Sequence, residues 1–315
     1  MAHIRSRLLS AAFVFFILLG CGGCQKQTPA EQIEPAVSAS FHYEPGKTEV
    51  LVPRADGTVT AGTDPLTLDF SHADQGYFTG MLTGEQKKIN IQVTGPDQVI
   101  YKYFLETPEV CTVFPFTAGS GSYLILAYEN VGSDQYVSLF GYSLEVELEN
   151  EFLPFLYPNQ YVSFSENSEA VKLAAQLSKE AETDLDALNT IYQYVTRNIT
   201  YDSEKAASVE SGYLPDIDET LATGKGICFD YAALTVSMLR SLSIPARLEI
   251  GYSGDVRHAW VDVYIESIGW VERAVEFNGD EWKLVDPTYA AALKNDDMVR
   301  EYTGDGGNYV LQYVR

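Results

Sequence analysis

The chain has 315 residues, of which 46% are hydrophobic, and 44 acidic against 21 basic side chains give it a formal net charge of −23 at pH 7. A charge of this sign and size opposes binding to nucleic acid and to anionic lipid surfaces. With only four cysteines the chain is not a disulfide scaffold, so its stability must come from hydrophobic cores. A chain of this length is too long to fold around one modest hydrophobic core, which predicts a multidomain protein.

The N-terminus has the pattern of a secretory signal. Arg5 and Arg7 precede the apolar stretch Leu8 to Leu19, which ends at Gly20. This stretch is too short to cross a bilayer by itself and is typical of a signal peptide over residues 1–20.

The end of that signal also predicts a lipid anchor. The segment Leu18 to Cys21 resembles a bacterial lipobox, in which the cysteine is acylated. Cys21 is therefore the predicted lipidation site, Cys24 is the weaker alternative acceptor, and an ordinary cleaved signal is the second interpretation. The polar residues 21–40 predict a flexible spacer, and the protein is expected at the outer face of a bacterial cytoplasmic membrane or at the cell surface.

Residues 41–150 contain short alternating apolar runs separated by turn signals, which predict an antiparallel β-sandwich. Cys111 is interpreted as a small buried apolar residue, and His42 and His72 are isolated, so no metal site is predicted. Such a sandwich could bind a glycan or polymer or act as a spacer. The predicted strands are Glu49–Val52, Leu66–Phe70, Tyr77–Leu82, Lys88–Val93, Val99–Phe104, Tyr123–Tyr128 and Tyr142–Leu148.

The amino-acid composition changes after the acidic residues near position 150. Residues 151–164 contain two prolines and predict an extended connector. Residues 165–315 form the second predicted domain. Apolar residues at helical spacing predict helices from Ser168 to Glu182 and from Asp184 to Ile199, and residues 202–226 predict an acidic loop.

A helix with almost no polar face begins at Cys228 and ends before Pro245, which is typical of a buried central helix. Strand-like runs follow it, so this half of the chain is α+β. The predicted strands are Ala246–Tyr252, His258–Ile265, Gly269–Phe277, Trp282–Val285 and Tyr309–Val314.

Cys228 is the candidate nucleophile. It opens the apolar helix directly after the turn that contains Gly224 and Gly226. Unpaired N–H groups and the positive end of the helix dipole face such a residue, so we expect a thiol pKa below its usual value of about 8.5. The two glycines leave room for a substrate carbonyl, whose oxyanion the Cys228 N–H can hold.

His258 and Asp286 are the candidate base and orienting acid. His258 opens an alternating run that puts it on one strand face with Trp260, and Asp286 ends a later strand just before a proline. If the two strands are antiparallel neighbours, the carboxylate lies beside the imidazole and orients it. Each motif alone has a structural explanation, but the three together favour a cysteine acyl-transfer site.

At these residues the chain resembles the transglutaminase-like superfamily, relatives of papain-type thiol enzymes, over about residues 165–290. The resemblance implies a cysteine on a central helix against an antiparallel sheet, and a catalytic triad of Cys228, His258 and Asp286. The long interval between the last two is a departure from the family pattern and predicts an added hairpin at Arg273–Asp280. The matching motifs are Tyr201, Gly226-Ile227-Cys228, Asp230-Tyr231-Ala232, Ile244-Pro245-Ala246-Arg247, Gly251-Tyr252, the run from His258 to Tyr264, Gly269-Trp270, Trp282 and Asp286-Pro287-Thr288.

The predicted function is an exported, lipid-anchored cysteine acyl-transfer enzyme that acts on peptide, protein or cell-wall peptide amides through a thioester. Hydrolysis is favoured over transamidation, and no metal or organic cofactor is needed. Tyr201, Gly226 and Trp260 are candidate substrate-cleft residues, although core packing is the favoured role of Trp260.

Two alternatives remain open. The first is a non-catalytic cell-surface binding or assembly module that uses the β-sandwich. The second is a calcium-regulated enzyme, for which Asp216 to Glu219 and Asp296-Asp297 supply acidic side chains. Their spacing matches no calcium-loop pattern, so these charges are interpreted as solvated surface.

Overall fold

The computed structural model describes residues 41–133, 135–253, 255–277, 282–284 and 309–315. The first part consists of two four-stranded antiparallel sheets, ordered β1-β2-β3-β6 and β5-β4-β7-β8. Their strands are β1 Thr60–Thr63, β2 Leu66–Asp69, β3 Tyr77–Leu82, β4 Ile89–Thr94, β5 Ile100–Leu105, β6 Thr112–Pro115, β7 Gly121–Gly132 and β8 Gln135–Val146.

Buried residues of both sheets form one hydrophobic cluster, to which Leu68 and Phe78 contribute from one sheet and Ile91 and Ile125 from the other. The alternating pattern therefore located these strands because one face of each sheet is buried. A separate β-sandwich domain bounded at residue 150 stays a prediction, since the contacts group Ser38–Arg315 in one unit.

Two predictions for this part are wrong. No strand forms at Glu49–Val52; the Glu49 N–H donates instead to the carbonyl of Ser241, 2.8 Å away, so this segment packs on a helix of the second part. Cys111 is exposed, because it lies just before β6 in a turn and contributes to neither core.

The second part combines helices with a five-stranded antiparallel sheet ordered β14-β13-β12-β11-β15. A two-stranded parallel ladder of β9 and β10 lies outside this sheet. The elements are α1 Glu169–Leu177, α2 Asp184–Asn198, β9 Thr200–Tyr201, α3 Ser203–Ser208, α4 Ile217–Thr223, β10 Lys225–Gly226, α5 Cys228–Ser241, β11 Ala246–Ser253, β12 Val256–Ile265, β13 Gly269–Phe277, β14 Trp282–Leu284 and β15 Tyr309–Val314.

Helix α5 is the centre of this part, and every residue from Asp230 to Ser241 is buried. One face of β12, with Ala259, Val261 and Val263, belongs to the same hydrophobic cluster as α5. The predictions of a buried central helix, of alternation along β12 and of β15 at the sheet edge are all confirmed. This packing fixes the start of α5 relative to β12.

A buried arginine joins the end of α5 to three other segments. The guanidinium of Arg240 donates hydrogen bonds to the carbonyls of Tyr157, Ala246 and Arg315 at 2.7 to 3.0 Å. Burial lowers its pKa to about 9. Residues 151–164 are thus not a simple extended connector, since Leu153–Phe155 forms a buried 3-10 turn and Tyr157 is tied to α5.

The predicted loop at 202–226 contains the two short helices α3 and α4. Asp202 caps α3, and Asp216 caps α4 by accepting from the N–H groups of Asp218 and Glu219. The Asp218 carboxylate accepts from two N–H groups at the start of α1, at 3.1 Å each. These acidic side chains therefore cap helices, which the interpretation as solvated surface missed. Across the described residues, no helix combines the length and apolar composition needed to cross a bilayer.

Candidate active site

Cys228 is the first residue of α5, and its thiol is hydrogen-bonded by the backbone N–H groups of Ala259 and Phe229. Because Ala259 follows His258 in β12, the sulfur lies beside the peptide unit that carries the candidate base. The side chain is half-buried, so it keeps some contact with solvent. The buried helix and the sheet thus bring the predicted nucleophile next to the β12 backbone at Ala259, the residue that follows the predicted base.

The expected lowering of the thiol pKa is wrong for this structure. Burial is the largest influence and raises the pKa of Cys228, because it removes water from the thiolate. The N–H groups of Ala259 and Phe229 and the charge of Arg257 act in the opposite direction, while the charge of Asp230 raises the pKa further. The resting nucleophile is therefore a neutral thiol at neutral pH.

His258 lies in β12 and is buried, with 7% of its surface exposed. Its ring centre lies 6.2 Å from that of Trp260, the next residue on the same face. Gly251 is the β11 partner of His258, and a β-carbon there would lie 2.8 Å from the Trp260 ring and 2.2 Å from a β15 carbonyl oxygen. Only glycine allows these elements to approach so closely.

Trp260 has a packing role, since it is 3% exposed and its Nε1–H donates to Glu249 at 2.7 Å. Glu249 and Asp262 form a buried acidic pair that the sequence analysis missed. Burial and the neighbouring Asp262 raise the pKa of Glu249 to about 8. Burial also raises the pKa of Asp262, which accepts the N–H of Arg273 at 2.7 Å. A glutamate between the apolar residues Leu248 and Ile250 of β11 was the available signal.

Tyr201 and Gly226 are partners in the β9–β10 ladder. Burial raises the pKa of the Tyr201 phenol, and the charge of Cys228 raises it further, so Tyr201 is close to the nucleophile. Gly226 is buried, and a β-carbon at this position would lie 2.8 Å from the β-carbon of Asp230. The structure thus gives Gly226 a packing role, and the substrate-cleft roles of both residues stay predictions.

Asp230 is a second feature that the sequence analysis did not assign. Its fully buried carboxylate accepts the Ile227 N–H at 2.8 Å, accepts the Tyr213 hydroxyl and pairs with Lys205 at 2.7 Å. An acidic residue at the third position of a helix is a capping signal, which could have located the first of these contacts. The Lys205 and Tyr213 contacts are long-range and leave no local pattern.

Asp286 lies outside the described residues, as does Cys21. The strand that leads to Asp286, β14, is not a neighbour of β12 as the prediction assumed, because β13 lies between them with Glu276 opposite Lys283. The predicted hairpin at Arg273–Asp280 lies partly outside the described residues. Asp286 as the orienting acid stays a prediction. Within the described segments, no group of three His, Cys, Asp or Glu side chains could hold a metal ion.

A comparison of the sequence with family models identifies the same part of the chain, the one that contains α5 and β12. Residues 171–273, which include Cys228 and His258, match the model of the transglutaminase-like superfamily. The chain contains a transglutaminase-like domain. Helix α5, β11 and β12 lie wholly inside the matched range.

Several proteins are similar to this transglutaminase-like domain. Kyphoscoliosis peptidase of Homo sapiens is 28% identical over 144 residues, which is 42% of this chain and 20% of the relative. The uncharacterized protein YebA of Bacillus subtilis (strain 168) is 29% identical over 119 residues, 31% of this chain and 16% of the relative. The chain thus spans about a fifth or less of the length of these curated relatives.

Solved structures also resemble the chain. A protein of Cytophaga hutchinsonii, provisionally named a cysteine protease, has a TM-score of 0.36 at 17% identity, covering 76% of this chain and 83% of its own. Red sea bream transglutaminase has a TM-score of 0.23 at 14% identity, covering 67% of this chain and 48% of its own.

Proposed function

We propose that this protein is a cysteine acyl-transfer enzyme that acts on peptide or protein amides through a thioester intermediate. The placement of Cys228 carries the proposal. Its partly exposed thiol stands at the first residue of a buried helix and accepts the N–H of Ala259, directly after His258. The proposal assigns His258 as the base that takes the thiol proton, since covalent acyl transfer requires a base within reach of the nucleophile. The match of this region to the transglutaminase-like superfamily supports the same chemistry.

In the first half-reaction His258 takes the proton of Cys228, and the sulfur attacks the amide carbonyl carbon to form a C–S bond. Backbone N–H groups at the start of α5 hold the oxyanion. His258 then gives its proton to the leaving amine as the C–N bond breaks, with Asp286 orienting the imidazole. Because burial raises the pKa of Cys228, the base must take this proton when the substrate binds.

In the second half-reaction a water molecule attacks the thioester, His258 accepts its proton, and the acid and the free thiol are released. A primary amine in place of water gives a new amide. We favour hydrolysis because a curated relative, kyphoscoliosis peptidase, is named as a peptidase. None of these steps uses a metal ion or an organic cofactor.

The proposal places this chemistry outside the cytoplasm, with a lipid on Cys21 and residues 21–40 as the spacer. The residue pattern at the N-terminus supports this location. A peptide, protein or cell-wall peptide is the substrate class that such a location offers.

The test is thiol labelling followed by turnover. Cys111 is exposed and reacts as well, so the experiment uses a Cys111→Ser background and locates the label by peptide mass mapping. We expect iodoacetamide to label Cys228, and Cys228→Ala to lose this label together with all cleavage of a peptide library. The library is incubated with and without a primary amine, so that the product mass distinguishes hydrolysis from transamidation.

Cys111→Ser alone is the matched control and should retain full turnover. Turnover in Cys228→Ala equal to that of the control would refute the proposal. Absence of turnover in every variant would instead favour the binding module as the function.

A further inference from the structure

The first turn of α5 contains a buried negative charge two residues beyond the nucleophile. Asp230 is 0% exposed, and its carboxylate has contacts on two sides. On one side it accepts the N–H of Ile227, which precedes Cys228. On the other side Lys205 Nζ lies 2.7 Å from Oδ2, and the Tyr213 hydroxyl donates to Oδ1. The charge of this carboxylate is therefore balanced by a lysine from a different element.

Lys205 is itself held in place. Its ammonium group lies 4.6 Å from the centre of the Tyr213 ring, and burial is countered by Asp230 and Tyr213 so that the pKa of Lys205 is raised. Tyr213 makes an edge contact with Phe229, at 6.2 Å between ring centres. These contacts fix α3 and the segment after it against the residues on both sides of Cys228.

The balance of charge around the sulfur depends on this lysine. The charged or titratable groups that act on the thiol are Asp230 from α5, Arg257 from β12 and Tyr201 from β9. Asp230 opposes a thiolate, and a buried charge is screened only weakly by solvent. A cation 2.7 Å from the carboxylate opposes that effect, because the field of an ion pair falls off faster with distance than the field of the carboxylate alone.

We infer that Lys205 is a positioning residue for the nucleophile: it neutralises Asp230 and so allows Cys228 to ionise, while Asp230 sets the first turn of α5. The Tyr213 hydroxyl is the remaining partner of Asp230 and donates to Oδ1. The inference rests on the proposed role of Cys228 as nucleophile, but its test does not need turnover.

The test measures the rate of iodoacetamide alkylation of Cys228 against pH, in the Cys111→Ser background. Lys205→Met leaves Asp230 uncompensated and should raise the apparent thiol pKa by about half to one pH unit. Asp230→Asn leaves the lysine charge and should lower it. The double variant should return close to the parent value, and Lys205→Arg should match the parent.

Lys225→Met is the matched control, because Lys225 is an exposed lysine three residues before Cys228 and its charge is screened by solvent. An unchanged titration in folded Lys205→Met, or a shift equal to that of Lys225→Met, would overturn the inference. If Lys205→Met does not fold, Asp230→Asn decides, and an unchanged or raised thiol pKa in that variant counts against it. If these shifts occur but the Cys111→Ser parent shows no turnover, the proposed function alone is rejected.

Discussion

A buried pair of carboxylates predicts how the stability of this protein depends on pH. Glu249 and Asp262 are 6% and 3% exposed on neighbouring strands of the central sheet. The Glu249 carboxyl hydrogen-bonds to Asp262, and Asp262 also accepts the N–H of Arg273. The pair therefore holds one proton, which resides on Glu249, and the pKa of Glu249 is raised to about 8.

The magnitude follows from the difference between the folded and unfolded states. Between the unfolded pKa of 4.5 and the folded value of about 8, the folded protein holds one proton more than the unfolded chain. The free energy of unfolding then falls by about 1.4 kcal/mol for each pH unit, or about 3 kcal/mol from pH 5 to pH 7.5. This contribution is fully present below pH 4.5 and is lost as the pH rises toward 8.

Glu249→Gln removes the proton but keeps the contacts. The amide oxygen can accept from Trp260 and the amide N–H can donate to Asp262, so the side chain resembles the protonated acid. The assay is urea unfolding at intervals from pH 5 to pH 8. We expect the stability of the variant relative to wild type to increase steadily with pH. Glu272→Gln, at an exposed glutamate of β13, is the control for the loss of one acidic side chain.

Wild type and Glu249→Gln could instead show parallel curves over this range. That result would mean that Glu249 is already ionised in the folded protein, and the assignment of the shared proton would be wrong.

Two further substitutions test the contacts that position the site. Arg240→Met should lower the free energy of unfolding by about 2 to 4 kcal/mol, because three buried carbonyls lose their donor. Urea unfolding measures this loss, and Arg197→Met, at an exposed arginine, is the control. A loss in Arg240→Met no larger than that in the control would contradict the prediction. Gly226→Ala should displace Asp230, since the new β-carbon would lie 2.8 Å from that side chain, and should cost about 1 to 3 kcal/mol. Gly141→Ala, at an exposed strand position, is its control, and equal stability of the two would show that the first turn of α5 tolerates the methyl group.

Much of the α+β part could be predicted from the sequence because its signals are local. Helix α5 is apolar on nearly all sides, and it is buried on all sides. The alternation along β12 assigned Val261 and Val263 to the face that packs on α5. The strand Gly269–Phe277 was predicted to the residue, since a glycine opens it and it is rich in valine and aromatic residues. In each of these cases the residues of a single helix or strand carry the pattern that predicts it.

The errors arose where distant segments decide the outcome. The N–H of Glu49 donates to the carbonyl of Ser241, which is distant in the sequence. The segment predicted as a strand at Glu49–Val52 therefore packs on helix α5 and not in a sheet. The position of β14 depends on the hairpin that joins it to β13, and sequence spacing cannot say which strand it will pair with. Lys205 in α3 and Asp230 in α5 are separated in the sequence by a loop, α4 and β10, and only the fold brings their charges together.

The nucleophile shows the same division between local and distant causes. The position of Cys228 at a helix start was correctly predicted, and the N–H of Phe229 in that helix does lower the thiol pKa, as does the N–H of Ala259 in β12. The helix is also buried along nearly all of its length, and burial outweighs both N–H groups. A site built on the start of a buried helix therefore cannot rely on the helix dipole alone to ionise its sulfur. It needs a base that removes the proton and a cation that opposes the charge of the nearest carboxylate. We propose His258 and Lys205 for these two roles, and the fold places Lys205 2.7 Å from the Asp230 carboxylate.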